Sequence, residues 1–230
     1  MTEAEFDVYA DEYYQQLKSS IGKSGENPEF FAEYKVKDTL NVCKKEKISP
    51  NVIFDFGSGI GNSIPWFRKY FPNSELICAD ISTKSMDVSK LRFPGNEVYL
   101  KISESGIDFA DNSVDVIFCT CVFHHIEESQ HVFWLKELNR ILKKDGLIII
   151  FEHNPYNPLT VSTVKHCPFD VNAKLIKAKK IKHTFSLAQI NNSQAVYRFF
   201  FPNFLSFFRP IEKWMNRLPL GAQYYVYSKK

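Results

Sequence analysis

A doubly wound α/β sheet, parallel for most of its strands, is the fold this sequence predicts, and three observations predict it. Residues 53–61, Ile-Phe-Asp-Phe-Gly-Ser-Gly-Ile-Gly, read as a buried strand running into a glycine-rich turn. A second apolar run, 76–80, closes on Asp80, 19 residues after the last of those glycines. Strand and helix patterns then alternate up to residue 152, and the last of these strands, 147–152, is a continuous apolar run suited to a sheet covered on both faces.

The first 50 residues read as helical: Phe6, Tyr9, Tyr13 and Leu17 recur every three to four positions, and a second helical segment covers 28–47. Pro50 ends that segment before a strand at 52–55. A helix over 62–70 stops at Pro72 and Asn73, and another over 83–91 follows the strand that ends at Asp80. Strands are expected at 97–102 and 114–120, with the polar stretch 103–113 between them. Residues 130–143 form an amphipathic helix with Val132, Leu135, Leu138, Ile141 and Leu142 on one side. Asp145-Gly146 turns the chain into the strand at 147–152. The last third predicts a long connection over 154–192, a strand at 196–201, a helix around 204–218 and a final strand at 223–228.

The glycine turn has an unusual spacing. A dinucleotide fingerprint, G-x-G-x-x-G, uses its last glycine to bring a helix N-terminus up to a pyrophosphate. Here the run is D-x-G-x-G-x-G, Asp55 to Gly61, and Asn62 occupies the place of the last glycine. An acid where a phosphate loop would want none suits a nucleoside cofactor that carries a cationic amine. A tight strand-to-helix turn capped by Asp55 is the plain structural alternative.

With Asp80 in place, this pattern resembles the first motif of the class I S-adenosylmethionine-dependent methyltransferases. The resemblance implies that Asp55 lies near the methionine moiety, that Gly57, Ser58, Gly59 and Gly61 let backbone approach the ligand, and that Asp80, followed by Ile81, binds the ribose hydroxyls. Further along, 108–118 resembles the family's lead into its fourth strand, which makes Asp115 structural. The adenine-binding acid of the family falls at Ser103, where there is none, so Ser103 and Glu104 share that contact or backbone amides make it. The block Cys121-Val-Phe123-His124-His125-Ile126, followed by Leu138-Asn-Arg140, is similar to the family's segment after the fourth strand, which places Cys121 beside the cofactor and Phe123 beside the acceptor. Residues 166–170 and 218–226 are similar to bacterial methyltransferases of surface-polysaccharide or small-molecule biosynthesis. The resemblance further implies a seven-stranded sheet with a C-terminal antiparallel hairpin, an N-terminal helical lid, and a single methyltransferase domain over 1–230. Within it, 1–50 would be the lid, 51–153 the cofactor-binding core and 154–230 the part that selects substrate.

The expected chemistry is methyl transfer to a small polar acceptor, phosphorylated and sugar-like compounds among the candidates, on oxygen. Open parallel sheets hold their ligands at the carboxyl ends of strands. His124 and His125 follow the fourth strand, and Glu152, His153 and Asn154 end the fifth. An oxygen of high pKa needs a base working near neutral pH, so His124, His125 and His153 are candidates, with Glu152 as orienter or alternative base. Tyr13, Tyr14 and Asn154 are expected at the acceptor, and Lys165 or Arg209 would meet a phosphate or carboxylate. Three alternatives stand beside this reading: an N-methyltransferase of a small metabolite, a nicotinamide oxidoreductase, and a non-catalytic binding protein that uses the Phe-rich 199–208 at a membrane surface.

Composition narrows the partners. A net charge of +3 over 230 residues does not argue for nucleic acid, although six lysines against one acid lie between Lys165 and His183. No N/D-P-P-Y/F tetrapeptide follows the fourth strand, which also weighs against a nucleic-acid substrate. The N-terminal residues lack the basic start and apolar run of a secretory leader, and no apolar stretch approaches the ~20 residues that span a bilayer. Five cysteines without a C-x-x-C pair suit a reduced compartment and no metal. A cytoplasmic enzyme without stable membrane insertion is expected; oligomeric state is left open.

Overall fold

The structure is a computed structural model that describes residues 13–22, 25–170 and 172–230. Its centre is a seven-stranded sheet: β1 (Val52–Phe56), β2 (Glu75–Asp80), β3 (Val98–Lys101), β4 (Val114–Thr120), β5 (Leu142–His153), β6 (Gln194–Arg198) and β7 (Gln223–Lys229). The order is β3-β2-β1-β4-β5-β7-β6, with β7 antiparallel to both neighbours and the other pairs parallel. The order reverses between β1 and β4, and a crevice opens there at the strands' carboxyl ends.

Side chains alternate across this sheet with period two. Phe54, Phe56, Ile117, Cys119, Ile148 and Ile150 face one core. That core is closed by α5 (His131–Ile141) through Leu135 and Leu138, and by α7 (Ala178–Leu187) through Ile181 and Phe185. Ile53, Val116, Phe118, Ile149 and Phe151 face the other, closed by α2 (Pro28–Glu46) through Tyr34, Val36 and Val42, and by α3 (Ile64–Tyr70) through Phe67. Asp55 shares the face of Ile53, so its carboxylate looks toward α2.

Most predicted elements stand with shifted ends. α3 begins at Ile64 rather than 62, because Pro65 is best held in the first helical turn. The turn at 145–146 lies inside β5: Leu142 pairs with Val114, the ladder resumes at Leu147 with Val116, and the residues between bulge out. α1 (Tyr13–Ile21) and α4 (Thr83–Arg92) lie where helices are expected; Phe6 and Tyr9 are outside the described residues.

The last third departs furthest. The expected long connection contains α6 (Pro158–Lys165) and α7. α6 has a start signal in the sequence: Asn157 accepts from Thr160 N at 3.0 Å and Pro158 opens the helix. α7 buries Ala178, Ile181, Thr184 and Phe185 at helical spacing, and its lysines line the exposed side. The helix expected at 204–218 is instead a 3-10 run, Asn203–Ile211, and a short α8 (Glu212–Met215). Pro210 and the non-helical Leu205 prevent a continuous α-helix. The predicted strand at 196–201 ends at Arg198, because Phe199 turns to a φ of 59°.

Asp115 braces the sheet, as its place in the sequence implies. Its Oδ2 accepts from Asn51 N and Val52 N, both at 2.9 Å, and its Oδ1 accepts from Lys143 Nζ at 2.8 Å. One carboxylate thus ties together the starts of β1, β4 and β5. Asp115→Ala is expected to lower unfolding stability by about 1–3 kcal/mol, read by urea denaturation, whereas Lys143→Ala should cost less than about 1 kcal/mol. Equal effects of the two would show that the backbone amides do not depend on Asp115.

Candidate active site

After β1 the chain turns through Gly57, Gly59 and Gly61, all at positive φ (76°, 51° and 78°). Two of these glycines are fixed by packing. A Cβ on Gly57 would stand 2.3 Å from Val122 Cγ2, and one on Gly61 would stand 2.2 Å from Ser89 Oγ. Gly59 is different: nothing lies within 4 Å of where its Cβ would be, so its turn faces open space. Gly57 N and Ser58 N donate to Ala79 O at 2.8 and 3.1 Å, locking the turn to the end of β2.

Three carboxylates stand at strand ends around this turn. Asp80 Oδ2 accepts from Gly59 N at 2.7 Å and its Oδ1 from Ser82 N at 2.8 Å, which holds the acid at the end of β2. Asp55 is buried, and neither of its oxygens has a hydrogen bond. Burial first, then the nearby Asp80, raises its pKa to about 8 against the pull of Lys35. An acid held this way is short of a cationic donor, which is what the amino group of S-adenosylmethionine would supply. The residues therefore fit that cofactor: Asp55 for the amine, the Gly59 turn for close approach and Asp80 for the ribose. Ile81 follows, half-buried. Ser103 and Glu104 lie exposed beyond β3, and the Ser103 hydroxyl meets Ser105 Oγ at 2.7 Å.

The third carboxylate, Glu152, ends β5 and is fully buried with His124. It accepts from Phe123 N at 2.9 Å and pairs with His124 Nδ1 at 2.5 Å. Asp170 Oδ1 faces His124 Nε2 at 3.6 Å and His125 Nε2 at 3.3 Å. Burial works against a charge on His124, but the Glu152 charge and hydrogen bond, with the Asp170 carboxylate nearby, outweigh it and hold its pKa well above the ordinary value. Burial opposes ionisation of Asp170 too, and its histidine bonds prevail, so its pKa falls far below the usual carboxylate range. His125 moves the other way: burial and the charge on His124 lower its pKa in spite of Asp170. Packing in this cluster thus favours the charged forms of His124, Glu152 and Asp170 and the neutral form of His125.

A cavity of about 290 Å³ opens beside this cluster, lined at its polar end by Lys35, Cys121, His125, His153, Asp170 and Gln223. Phe31, Leu159 and 199–202 line the apolar wall. Cys121 sits at a φ of 58°, with Lys35 Nζ at 3.4 Å from its sulfur. Burial would raise its thiol pKa, but His153 and Lys35 bring it down to about 7. His153 has its pKa raised by that thiolate against burial, and its Nδ1 accepts from Gln223 Nε2 at 3.3 Å.

The structure brings together His124, His125, Glu152, His153 and Cys121, and separates others. Phe123 is fully buried in the core against Phe56 and His131, so it has no access to an acceptor. The Asn154 amide donates to Pro219 O and Gly221 O, which makes it a brace for the β6–β7 connection. Lys165 projects from α6 into solvent, and Arg209 lines the cavity but is paired with Glu26 at 2.6 Å. Tyr13 opens α1, and the Tyr14 hydroxyl donates to Glu29 at 2.7 Å. Sequence reading missed Lys35, Asp170 and Gln223. Asp170 did carry a signal, the His166-Cys-Pro-Phe-Asp motif, whereas Lys35 looks like any lysine of a helix. Among the described residues His124, His125 and Asp170 also bring one donor atom each within 4.8 Å of one another.

Binding of a cationic amine should ionise Asp55. Titration with S-adenosylhomocysteine at pH 7 is expected to release about one proton, seen as an enthalpy that depends on the buffer, and affinity should strengthen from about pH 6 to about pH 7.5. The sign follows from Asp55 being protonated below about 8 in the free protein and charged in the complex. A buffer-independent enthalpy, or Asp55→Asn binding as tightly as the parent, would remove Asp55 from the amine site.

Residues 54–150 match the methyltransferase domain family. A demethylmenaquinone methyltransferase of Thermotoga maritima is 25% identical over 111 residues, 48% of this chain and 47% of that protein. The thiol S-methyltransferase TMT1B of Rattus norvegicus is 28% identical over 130 residues, 53% of this chain and 51% of its own. The chain spans about half the length of the curated relatives it matches. Among solved structures, the plantazolicin methyltransferase BpumL in complex with SAH superposes with a TM-score of 0.67 at 15% identity, over 99% of this chain and 96% of its own. That likeness concerns the fold, while the glycine turn and its unpaired acid concern the ligand. Sequence match, strand order and cofactor cradle converge: residues 54–150 carry a methyltransferase domain, set in the class I, Rossmann-like fold of S-adenosylmethionine-dependent methyltransferases.

Proposed function

We propose that this protein methylates an oxygen nucleophile of a small acceptor, with His125 as the general base and Asp170 as its orienting carboxylate. The contact between His125 Nε2 and Asp170 at 3.3 Å in the cavity wall carries this reading. When bound, S-adenosylmethionine supplies an electrophilic methyl group on a sulfonium, whose departure requires no acid. The protein must therefore align the acceptor and take one proton from it.

Of the three candidate histidines, His125 suits that task best. His124 is sealed from the cavity, and its place between Glu152 and Asp170 favours the protonated form, which makes it a poor base. His153 is tied to the Cys121 thiolate and to Gln223. His125 lines the cavity and is held neutral. With Nε2–H given to Asp170, the basic lone pair lies on Nδ1. The Asp170 charge then stabilises the imidazolium formed when a proton arrives. His124 and Glu152 act as positioning residues, because they fix Asp170 from the buried side.

The cavity also narrows the acceptor. Arg209 is neutralised by Glu26, and Lys165 lies outside the lining, which weighs against a phosphorylated substrate. A hydroxyl at the histidine end and an apolar body along 199–202 fit better. Relatives named for demethylmenaquinone and for thiols are in keeping with an acceptor of mixed polarity.

His125→Ala is expected to reduce kcat by roughly 10²–10⁴-fold with S-adenosylhomocysteine affinity unchanged, in a radiolabelled methyl-transfer assay over a panel of phenols, alcohols, amines and thiols. Asp170→Asn should lose less and shift the acid limb of the rate profile. That limb lies below about pH 6.5, since the base must be neutral and its pKa is lowered. Turnover by the alanine variant within about threefold of the parent would remove His125 from the chemistry. Dialysis against EDTA should leave activity intact; a loss restored by a divalent cation would make His124, His125 and Asp170 ligands instead.

A further inference from the structure

The connection between β6 and β7 is the least covered part of the molecule. Phe204, Phe207, Trp214 and Leu220 are 78%, 69%, 71% and 60% exposed, and Phe208, Ile211 and Leu218 are exposed with them. α6 adds Leu159, also exposed, and Asn157 at its start donates to Leu220 O at 2.9 Å, which joins the two segments. Single exposed apolar residues are ordinary, but so many on one short insertion are not.

Charge says what covers this face. From 154 to 169 and from 199 to 222 the sequence has one acid, Glu212, against Lys165, Arg209, Lys213 and Arg217. The Glu212 carboxylate is turned inward, where it accepts from Phe200 N at 3.1 Å and Phe201 N at 3.2 Å. Arg209 is paired with Glu26. Lys165, Lys213 and Arg217 are left on the surface beside the aromatic side chains, and Lys213 Nζ lies 4.3 Å from the centre of the Trp214 ring. Basic side chains among exposed Trp, Phe and Leu are the composition of segments that rest in the interface of an anionic bilayer. A second copy of the chain would set Lys213 and Arg217 against themselves across a twofold axis, which disfavours self-association through this face.

The aromatic face is also continuous with the cavity. The Phe207 and Phe208 rings are 4.0 Å apart, and Phe208 lies 5.4 Å from Phe201, a lining residue. An apolar path thus runs from the exposed insertion to the acceptor wall. We infer that the insertion docks the enzyme on an anionic lipid surface, from which an amphiphilic acceptor enters with its polar head toward His125 and its tail along 199–202. No helix of the described residues is long and apolar enough to cross a membrane, so the contact is peripheral. Docking stands on the surface alone; the acceptor's entry rests on the proposed function.

The test is co-sedimentation of the full chain with phosphatidylcholine vesicles, with and without phosphatidylserine, beside titration with S-adenosylhomocysteine as the measure of an intact fold. Binding is expected to the phosphatidylserine vesicles, weakening with salt. Lys213→Glu with Arg217→Glu should reduce partitioning by at least roughly tenfold. Phe204→Ser, Phe207→Ser and Trp214→Ser together should abolish it, with homocysteine-analogue affinity unchanged. A parent protein that binds S-adenosylhomocysteine but neither vesicle would overturn the proposal. So would sedimentation velocity showing a dimer that the triple serine variant dissociates. Vesicle binding by a protein in which His125→Ala has no effect on turnover would keep the docking and reject the base.

Discussion

Glu152 is the residue on which the rest of the site depends. It is a fully buried carboxylate at the end of a central strand, a position tolerable only if its charge is matched. The match comes from the turn after β4, through the Phe123 amide and the His124 ring. Those two bonds join the ends of β4 and β5 and set the direction of His124. The far nitrogen of that ring meets Asp170, and His124 O accepts from Lys174 N at 2.9 Å, so the segment beyond β5 is drawn in over the cluster. His131 Nε2 steadies the same turn, 3.0 Å from both Phe123 O and Ile126 O. Loss of Glu152 would leave His124 and Asp170 without the partner that orders them.

The cofactor side obeys a different constraint, that of close approach. Gly57 and Gly61 are glycines because Val122 on one side and Ser89 with Ile64 on the other leave no room for a Cβ. Gly59 meets no such neighbour, and a φ of 51° with open space beside it is what sets this position apart. The two acids of this region also differ. Asp80 accepts from two backbone amides, whereas Asp55 has no hydrogen bond, and burial with the nearby Asp80 raises its pKa to about 8. A binding site that is short of one donor favours a ligand that brings it.

The two halves of the cavity impose separate requirements on the acceptor. Acidic and basic side chains together make up the polar floor, Lys35, His125, His153 and Asp170 among them. Aromatic side chains on a proline-broken insertion make up the other wall, and the same insertion reaches the surface. The proposed acceptor wall and the proposed docking surface thus share one segment, 199–222, while the proposed base and its carboxylate come from others.

The sequence alone determined the sheet, because strand and helix periods, glycine spacing and the acids at strand ends are local patterns enforced by backbone geometry. It also marked the histidines after β4 and β5, since residues at those strand ends must meet at the edge of a parallel sheet. Tertiary structure decided their roles. Three neighbouring histidines look alike in sequence, and only burial together with the groups packed around them raises the pKa of His124 and of His153 and lowers that of His125. Phe123 and Asn154 sit in the same strand-end segments as the active residues, yet packing sends one into the core and turns the other into a brace. Asp170, Lys35 and Gln223 join from distant parts of the chain, and no local spacing records contacts such as Lys35 with Cys121, 86 residues apart, or Gln223 with His153, 70 apart. Local periodicity is a property of the backbone; the charge state of a buried side chain is a property of everything packed around it.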